Sequence, residues 1–229
     1  DQTVSATTTD DDVAGFTIVE LDGATEVDES GSTDTFTVVL DAQPTSNVVI
    51  SLSSNDGSEI SIPSSLTFTT ANWDTPQTVT VTGVDDSIID GTITSTITVA
   101  VDDANSDDDF DAIADQTISV DTTDDDVAGF TIVELDGSTE VDESGTTDTF
   151  TVALNAQPAS DVVISLASDD TGEATVTSTL SFTPANWDTP QTVTVTGADD
   201  TAIDSTQTST ITISIIDAIS DNSLSLIHI

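Results

Sequence analysis

Carboxylates are the one abundant reactive group in this chain. Asp and Glu number 44, against no Lys, no Arg, no Cys and a single His, for a formal charge of −44. Two chemistries are open to such residues. Paired carboxylates can serve as the acid and base of glycoside hydrolysis. Clustered carboxylates and carbonyls can wrap Ca2+, which takes many hard oxygen ligands in flexible geometry. Catalysis has little else to draw on, because the acidic residues lie in runs and Tyr, Lys and Arg are absent. No enzymatic activity is therefore expected. Zinc is disfavoured without Cys, and Mg2+ demands a tighter octahedron and keeps its waters.

The charge also bounds the partners. With every ionised side chain repelling every other, the compact state needs screening salt or bound multivalent cations. Nucleic acid and anionic membrane surfaces are excluded as natural partners, because no cationic side chain meets their phosphates. No apolar run is long enough for a membrane-spanning helix, so no direct membrane insertion is expected. Acidic adaptation to a saline environment is compatible with the same composition.

The carboxylate runs recur. Asp124–Phe130 (DDDVAGF) copies Asp10–Phe16, and Asn186–Thr196 (NWDTPQTVTVT) copies Asn72–Thr82, both at an offset of 114 residues. Repeats of that length are whole domains in tandem rather than solenoid units. Asp1–Asp12 matches Asp115–Asp126, so residues 1–12 read as the last strand of a preceding repeat. Residues 13–126 form repeat one and 127–223 repeat two, which lacks a counterpart of Gln116–Val120. Residues 224–229 (LSLIHI) read as translated sequencing adapter, which makes His228 an artefact.

Period-two alternation, rich in Thr and Val, predicts the strands that hold these groups. In repeat one they are Phe16–Glu20, Thr35–Leu40, Val48–Leu52, Leu66–Thr69 (extended back toward Ile60), Thr78–Thr82, Ile97–Val101 and Thr117–Val120. Gly, Asp, Asn and Pro mark the turns between them. About seven short strands per repeat, with no helical period, predict an all-β fold of tandem immunoglobulin-like antiparallel β-sandwiches. Trp73 and Trp187 each sit between Asn and Asp, and read as plugs of the edge or core.

Strand parity then gathers the carboxylates. In an antiparallel sandwich the first-to-second, third-to-fourth and fifth-to-sixth loops lie at one end, and the segment after the seventh strand emerges there too. Those loops carry Asp28 and Glu29; Asp56 and Glu59; Asp85, Asp86 and Asp90; and Asp124, Asp125 and Asp126. Four acidic loops at one end would repel strongly without a cation. The sixth-to-seventh loop, with Asp107, Asp108, Asp109 and Asp111, is a weaker candidate at the opposite end.

At these residues the chain resembles Calx-beta domains. The likeness spans nearly all of each repeat and rests on Val27–Gly31 (VDESG), Leu66–Phe68 (LTF), Val79–Val81 (VTV) leading to Asp85 and Asp86, and the closing Asp124–Asp126. The resemblance implies that Asp85, Asp86 and Asp90 supply carboxylates and Ile88 a backbone carbonyl, with Glu29, Asp124, Asp125 and Asp126 completing a Ca2+ site. In repeat two it implies Glu143, Asp199, Asp200 and Asp204. The third-to-fourth loop departs from the family pattern, which puts Glu59 in doubt as a ligand.

These readings together describe a non-catalytic calcium-binding module. It would act as a calcium-stiffened extender in a large extracellular or cell-surface, adhesin-like bacterial protein. Its partners would be neighbouring repeats of the same chain, with a cell-surface or glycan target reached through other domains. The alternatives are a module that itself grips a glycan or protein, and an acidic spacer that needs only salt.

Overall fold

The computed structural model describes residues 1–21, 23–135, 137–203, 205–216 and 220. Asp204 and residues 224–229, with His228, lie outside the described residues. The chain is all-β and forms two compact units, one of Asp1–Asp86 with Asp90–Asp125 and one of Ser87–Ile89 with Asp126–Ile229.

The first unit contains β1 (Phe16–Glu20), β2 (Thr25–Asp28), β3 (Thr33–Leu40), β4 (Val48–Ser54), β5 (Ile60–Ser61), β6 (Ser65–Phe68), β7 (Gln77–Gly83), β8 (Ile93–Val101) and β9 (Gln116–Thr123). They make a four-stranded sheet in the order β1-β3-β7-β5 and a five-stranded sheet in the order β2-β9-β8-β4-β6. All pairs are antiparallel except β2 with β9, which run parallel with Thr25 opposite Val120. Alternate side chains face inward, as the pleat requires. Phe36, Phe68, Ile50, Val79, Ile97 and Val99 are completely buried between the sheets. Each such side chain contributes about 1.5–3 kcal/mol by leaving water.

Two strands depart from the expected seven. β2 has no alternating apolar stretch of its own and exists through its ladder with β9. β5 is not an extension of β6: Ile60 and Ser61 pair with β7, whereas Ser65–Phe68 pairs with β4 in the other sheet. The chain changes sheets around Pro63, which has no N–H to continue a ladder. Trp73 packs part-buried against the core, and its carbonyl accepts the Leu40 N–H at 3.1 Å, as a plug would.

The second unit contains β10 (Phe130–Glu134), β11 (Thr147–Leu154), β12 (Val162–Ser168), β13 (Ala174–Val176), β14 (Thr179–Phe182), β15 (Gln191–Gly197) and β16 (Ile211–Ile215). Its sheets run β10-β11-β15-β13 and β14-β12-β16. Among the described residues it has no counterpart of β2 or β9. The β8 counterpart is also shorter. In the first unit Ile93, Thr94 and Ser95 pair with β9 alone, and the matching residues of the second unit lie outside β16.

Candidate metal centre

Three loops and one strand end of the first unit converge on a carboxylate cluster. Glu29 follows β2 in a tight turn. Asp28 accepts hydrogen bonds from the N–H and hydroxyl of Ser30, its carbonyl accepts the Gly31 N–H at 3.2 Å, and Gly31 takes φ +94°. That left-handed backbone is open to glycine at little strain. The Glu29 N–H donates to the Thr123 carbonyl at 3.1 Å, so the end of β9 fixes the turn. Gly83, at the end of β7, sits against the same turn, and a Cβ there would lie 2.0 Å from the Asp28 carbonyl oxygen.

Glu59 precedes β5, and its carbonyl accepts the Val84 N–H at 2.9 Å, which ties the third-to-fourth loop to the acidic segment after β7. Upstream, Asp56 shapes that loop by accepting from the Ser58 N–H at 3.1 Å and the Ser58 hydroxyl at 2.6 Å. Asp90 is held from the segment after β9: one Asp124 carboxylate oxygen accepts the N–H of Asp90 at 3.0 Å and of Gly91 at 2.9 Å.

These supports bring carboxylate oxygens of Glu29, Glu59 and Asp90 within 4.8 Å of one another, and one of Asp86 within the same distance of Glu29. Glu29 is 1 % exposed and Glu59 5 %. In each, the Oε2 atom is buried without a hydrogen-bond partner. Burial raises the Glu29 carboxyl from an ordinary 4.5 to about 7, helped by repulsion from Asp86, Asp90, Glu59 and Asp124. Glu59 is raised by burial and then by Asp90, Asp56 and Asp86. Asp90 is raised by burial, Asp86 and Asp124.

Buried carboxylates stay uncompensated only at considerable expense in free energy. A divalent cation answers every feature here: it takes the orphaned oxygens as ligands and cancels the mutual repulsion. The donor set is all oxygen, from several chain segments, which suits Ca2+. Glu29, Glu59 and Asp90 would hold it, with Asp86 beside Glu29.

The other expected ligands are placed unequally. Asp85 and Asp125 are exposed, and Asp124 and Asp126 half-buried. Asp126 opens the second unit. Ile88 lies in the short segment Ser87–Ile89, which belongs to the second unit, and it bridges Gln157 there. Within the second unit Glu143 is half-buried, Asp199 and Asp200 are exposed, and Asp200 accepts the Ala202 N–H of its own loop at 2.7 Å. Among the described residues no carboxylate trio forms within that unit.

Glu59 is the residue that family comparison put in doubt and strand parity pointed to. At the opposite end, Asp107 is not arranged as a metal ligand. It is 5 % exposed and accepts from the Thr45 N–H and hydroxyl, the Ser46 N–H and the Asp109 N–H, the side-chain bond from Thr45 doing most to hold its carboxyl below the usual range. It staples that loop to the β3–β4 connection.

No family profile and no curated protein matches the chain. Among solved structures, it is similar to CBD12 from CALX1.2, at 14% identity over 77% of this chain and 73% of that one, with a TM-score of 0.35. It is similar to the apo-form Calx CBD1 domain at 15% identity over 48% of this chain and 98% of that one, with a TM-score of 0.36. The E. coli chaperone DraB matches at 9% identity over 83% of this chain and 89% of that one, also at 0.36.

Proposed function

We infer that this chain is a non-catalytic calcium-binding β-sandwich module. It serves as a stiffened extender within a larger extracellular or cell-surface protein, where neighbouring repeats are its immediate partners. The observation that carries the calcium reading is the pair Glu29 and Glu59. Both are buried, each keeps a carboxylate oxygen without a partner, and both lie beside the Asp90 carboxylate. A chain without Lys or Arg has no side-chain cation of its own to neutralise them.

The mechanism is linkage. A cation that binds the folded unit and not the unfolded chain stabilises the fold by an amount that grows with its concentration. Here it also fastens the turn after β2, the loop before β5 and the segment after β7 to one point, which removes bending freedom at that end of the sandwich. Recognition of a cell-surface or glycan target would fall to other domains.

The test is thermal unfolding with calcium titrated against NaCl of matched ionic strength. A midpoint that rises and saturates with calcium, well beyond the NaCl curve, is the expected result. Coincident curves would sink the metal reading and leave a fold that needs only screening.

A further inference from the structure

The opening stretch of the first unit is divided between its two sheets. β1 pairs with β3 in one sheet, and β2 pairs with β9 in the other. The β2–β9 ladder begins with Thr25 opposite Val120, so Gln116–Ser119 of β9 lies beyond it. That stretch pairs with β8 on one side, Val99 facing Gln116 and Thr96 facing Ser119. On its other side it pairs with no strand among the described residues. Backbone groups alternate in direction along a strand. The Thr123 carbonyl points to the β2 side, because it accepts the Glu29 N–H. Counting back in twos along the unbroken β8–β9 register, Ser119 and Thr117 turn the same way. Thr117 therefore presents its N–H and C=O at an open edge. Natural edges are blunted by Lys, Pro or a bulge, and this stretch (QTIS) has none of them.

The two sheets part beside this edge and leave a groove of about 450 Å³, lined by Ile18, Glu20, Thr25, Gln116, Ile118 and Asp121 among others. Ile18 is half-buried and Ile118 buried, which makes an apolar floor. The Gln116 side chain donates to the Phe16 carbonyl at 2.8 Å and ties β9 to β1 across one end. Both carboxylates are held in place by hydroxyls: Thr25 donates to Glu20 at 3.0 Å, and Thr94 to Asp121 at 2.6 Å. Each of these bonds engages one carboxylate oxygen and leaves the group negatively charged. An open strand edge, an apolar floor and two positioned anions are the parts of a site for an extended basic peptide.

We propose that this groove binds an extended, cationic segment of a partner protein, added as a strand beside Thr117 and Ser119. An apolar side chain of the segment packs on Ile18 and Ile118, and flanking Lys or Arg side chains meet Glu20 and Asp121. Charge rules against a second copy as the occupant. The chain has no Lys and no Arg and carries −44, so another copy would bring only repulsion to the groove. The site belongs to the first unit alone and uses none of the carboxylates of Glu29, Glu59 and Asp90, so it does not rest on the calcium reading.

The test titrates the 229-residue chain with a capped peptide of about six residues alternating Lys and Val, long enough to cover the slot. Salt is kept at about physiological strength to suppress loose attraction to the acidic surface. The same peptide methylated on alternate backbone nitrogens keeps its charge and loses its ladder bonds. Amide NMR of the isotope-labelled chain locates the contact. The expected results are saturable binding, shifts centred on the Thr117 and Ser119 amides, and loss of binding on methylation. Thr117→Pro removes the N–H on the open side and spares the ladder to β8, and should weaken binding about fivefold. Glu20→Gln with Asp121→Asn keeps acceptors for Thr25 and Thr94, and should weaken it about tenfold. Equal binding of the methylated peptide, shifts elsewhere than β9, or full affinity in Thr117→Pro would each overturn the proposal. So would equal binding of a peptide alternating Glu and Val, which would remove the cationic partner.

Discussion

Replacing Glu29 by Gln tests the electrostatics of the cluster directly. Gln keeps the shape of the protonated acid and cannot ionise. In the folded first unit the Glu29 carboxyl is raised from 4.5 to about 7, by burial first and by its acidic neighbours second. The folded value lies above the unfolded one, so the fold holds this proton more tightly than the open chain does. Stability from this group is greatest below about 4.5 and is lost as pH rises through about 7. Each pH unit of displacement corresponds to ~1.4 kcal/mol, so ionised Glu29 weakens the metal-free fold by roughly 3 kcal/mol. Urea unfolding in EDTA, followed by Trp73 fluorescence in a Trp187→Phe background, reads the first unit. Glu29→Gln should stabilise it by up to about 3 kcal/mol near pH 8, by under about 1 kcal/mol near pH 5 and by almost nothing near pH 4. In saturating calcium the sign should reverse, because the variant loses a ligand. A variant that is less stable than its parent in EDTA near pH 8, or whose advantage does not change with pH, would refute the account of a repelled, buried carboxylate.

Four further substitutions separate the parts of the first unit. Asp86→Asn should weaken calcium binding about tenfold or more by calorimetry, and Asp85→Asn much less, because of these two neighbours Asp86 alone has a carboxylate oxygen within reach of Glu29. Gly83→Ala places a Cβ 2.0 Å from the Asp28 carbonyl oxygen. It should destabilise the first unit by about 3 kcal/mol in urea and lower its calcium affinity by displacing the Glu29 turn. Asp107→Ala removes the acceptor for Thr45, Ser46 and Asp109. It should cost about 2–3 kcal/mol of stability in chemical denaturation and leave calcium affinity unchanged.

The sandwich was legible in sequence because its main strands alternate cleanly: Phe36, Val38 and Leu40 on β3 and Val48, Ile50 and Leu52 on β4 all point inward. β2 was not, since the segment Thr25–Asp28 (TEVD) has one apolar residue and takes its strand form from a partner far along the chain. β5 was misjudged as part of its successor because two residues carry no readable period, and Pro63 was the available clue to the change of sheet. Strand parity brought the right loops to one end, yet it could not rank residues within an acidic run. Asp85 and Asp86 are neighbours in sequence, and one is exposed while the other is half-buried. Glu59 was recoverable from parity and lost to a family pattern that this loop does not follow. The run Asp107-Asp108-Asp109 reads as a weaker metal candidate, and nothing local reveals that its first member is buried on Thr45 and Ser46.

The bond from the Glu29 N–H to the Thr123 carbonyl sets the order in which the module matures. The turn that carries the most perturbed carboxylate is made early in synthesis, but its anchor is the last strand of the unit. A chain emerging from its N-terminus must close that long span before Glu29 is held in position. Long-range closure is slow, and interactions that form only after it are absent from the folding transition state. A cation seated at Glu29 would then leave the folding rate nearly unchanged and slow unfolding instead. Calcium would act as a latch on a finished module, engaged only after an open, strongly self-repelling polyanion has closed into the sandwich.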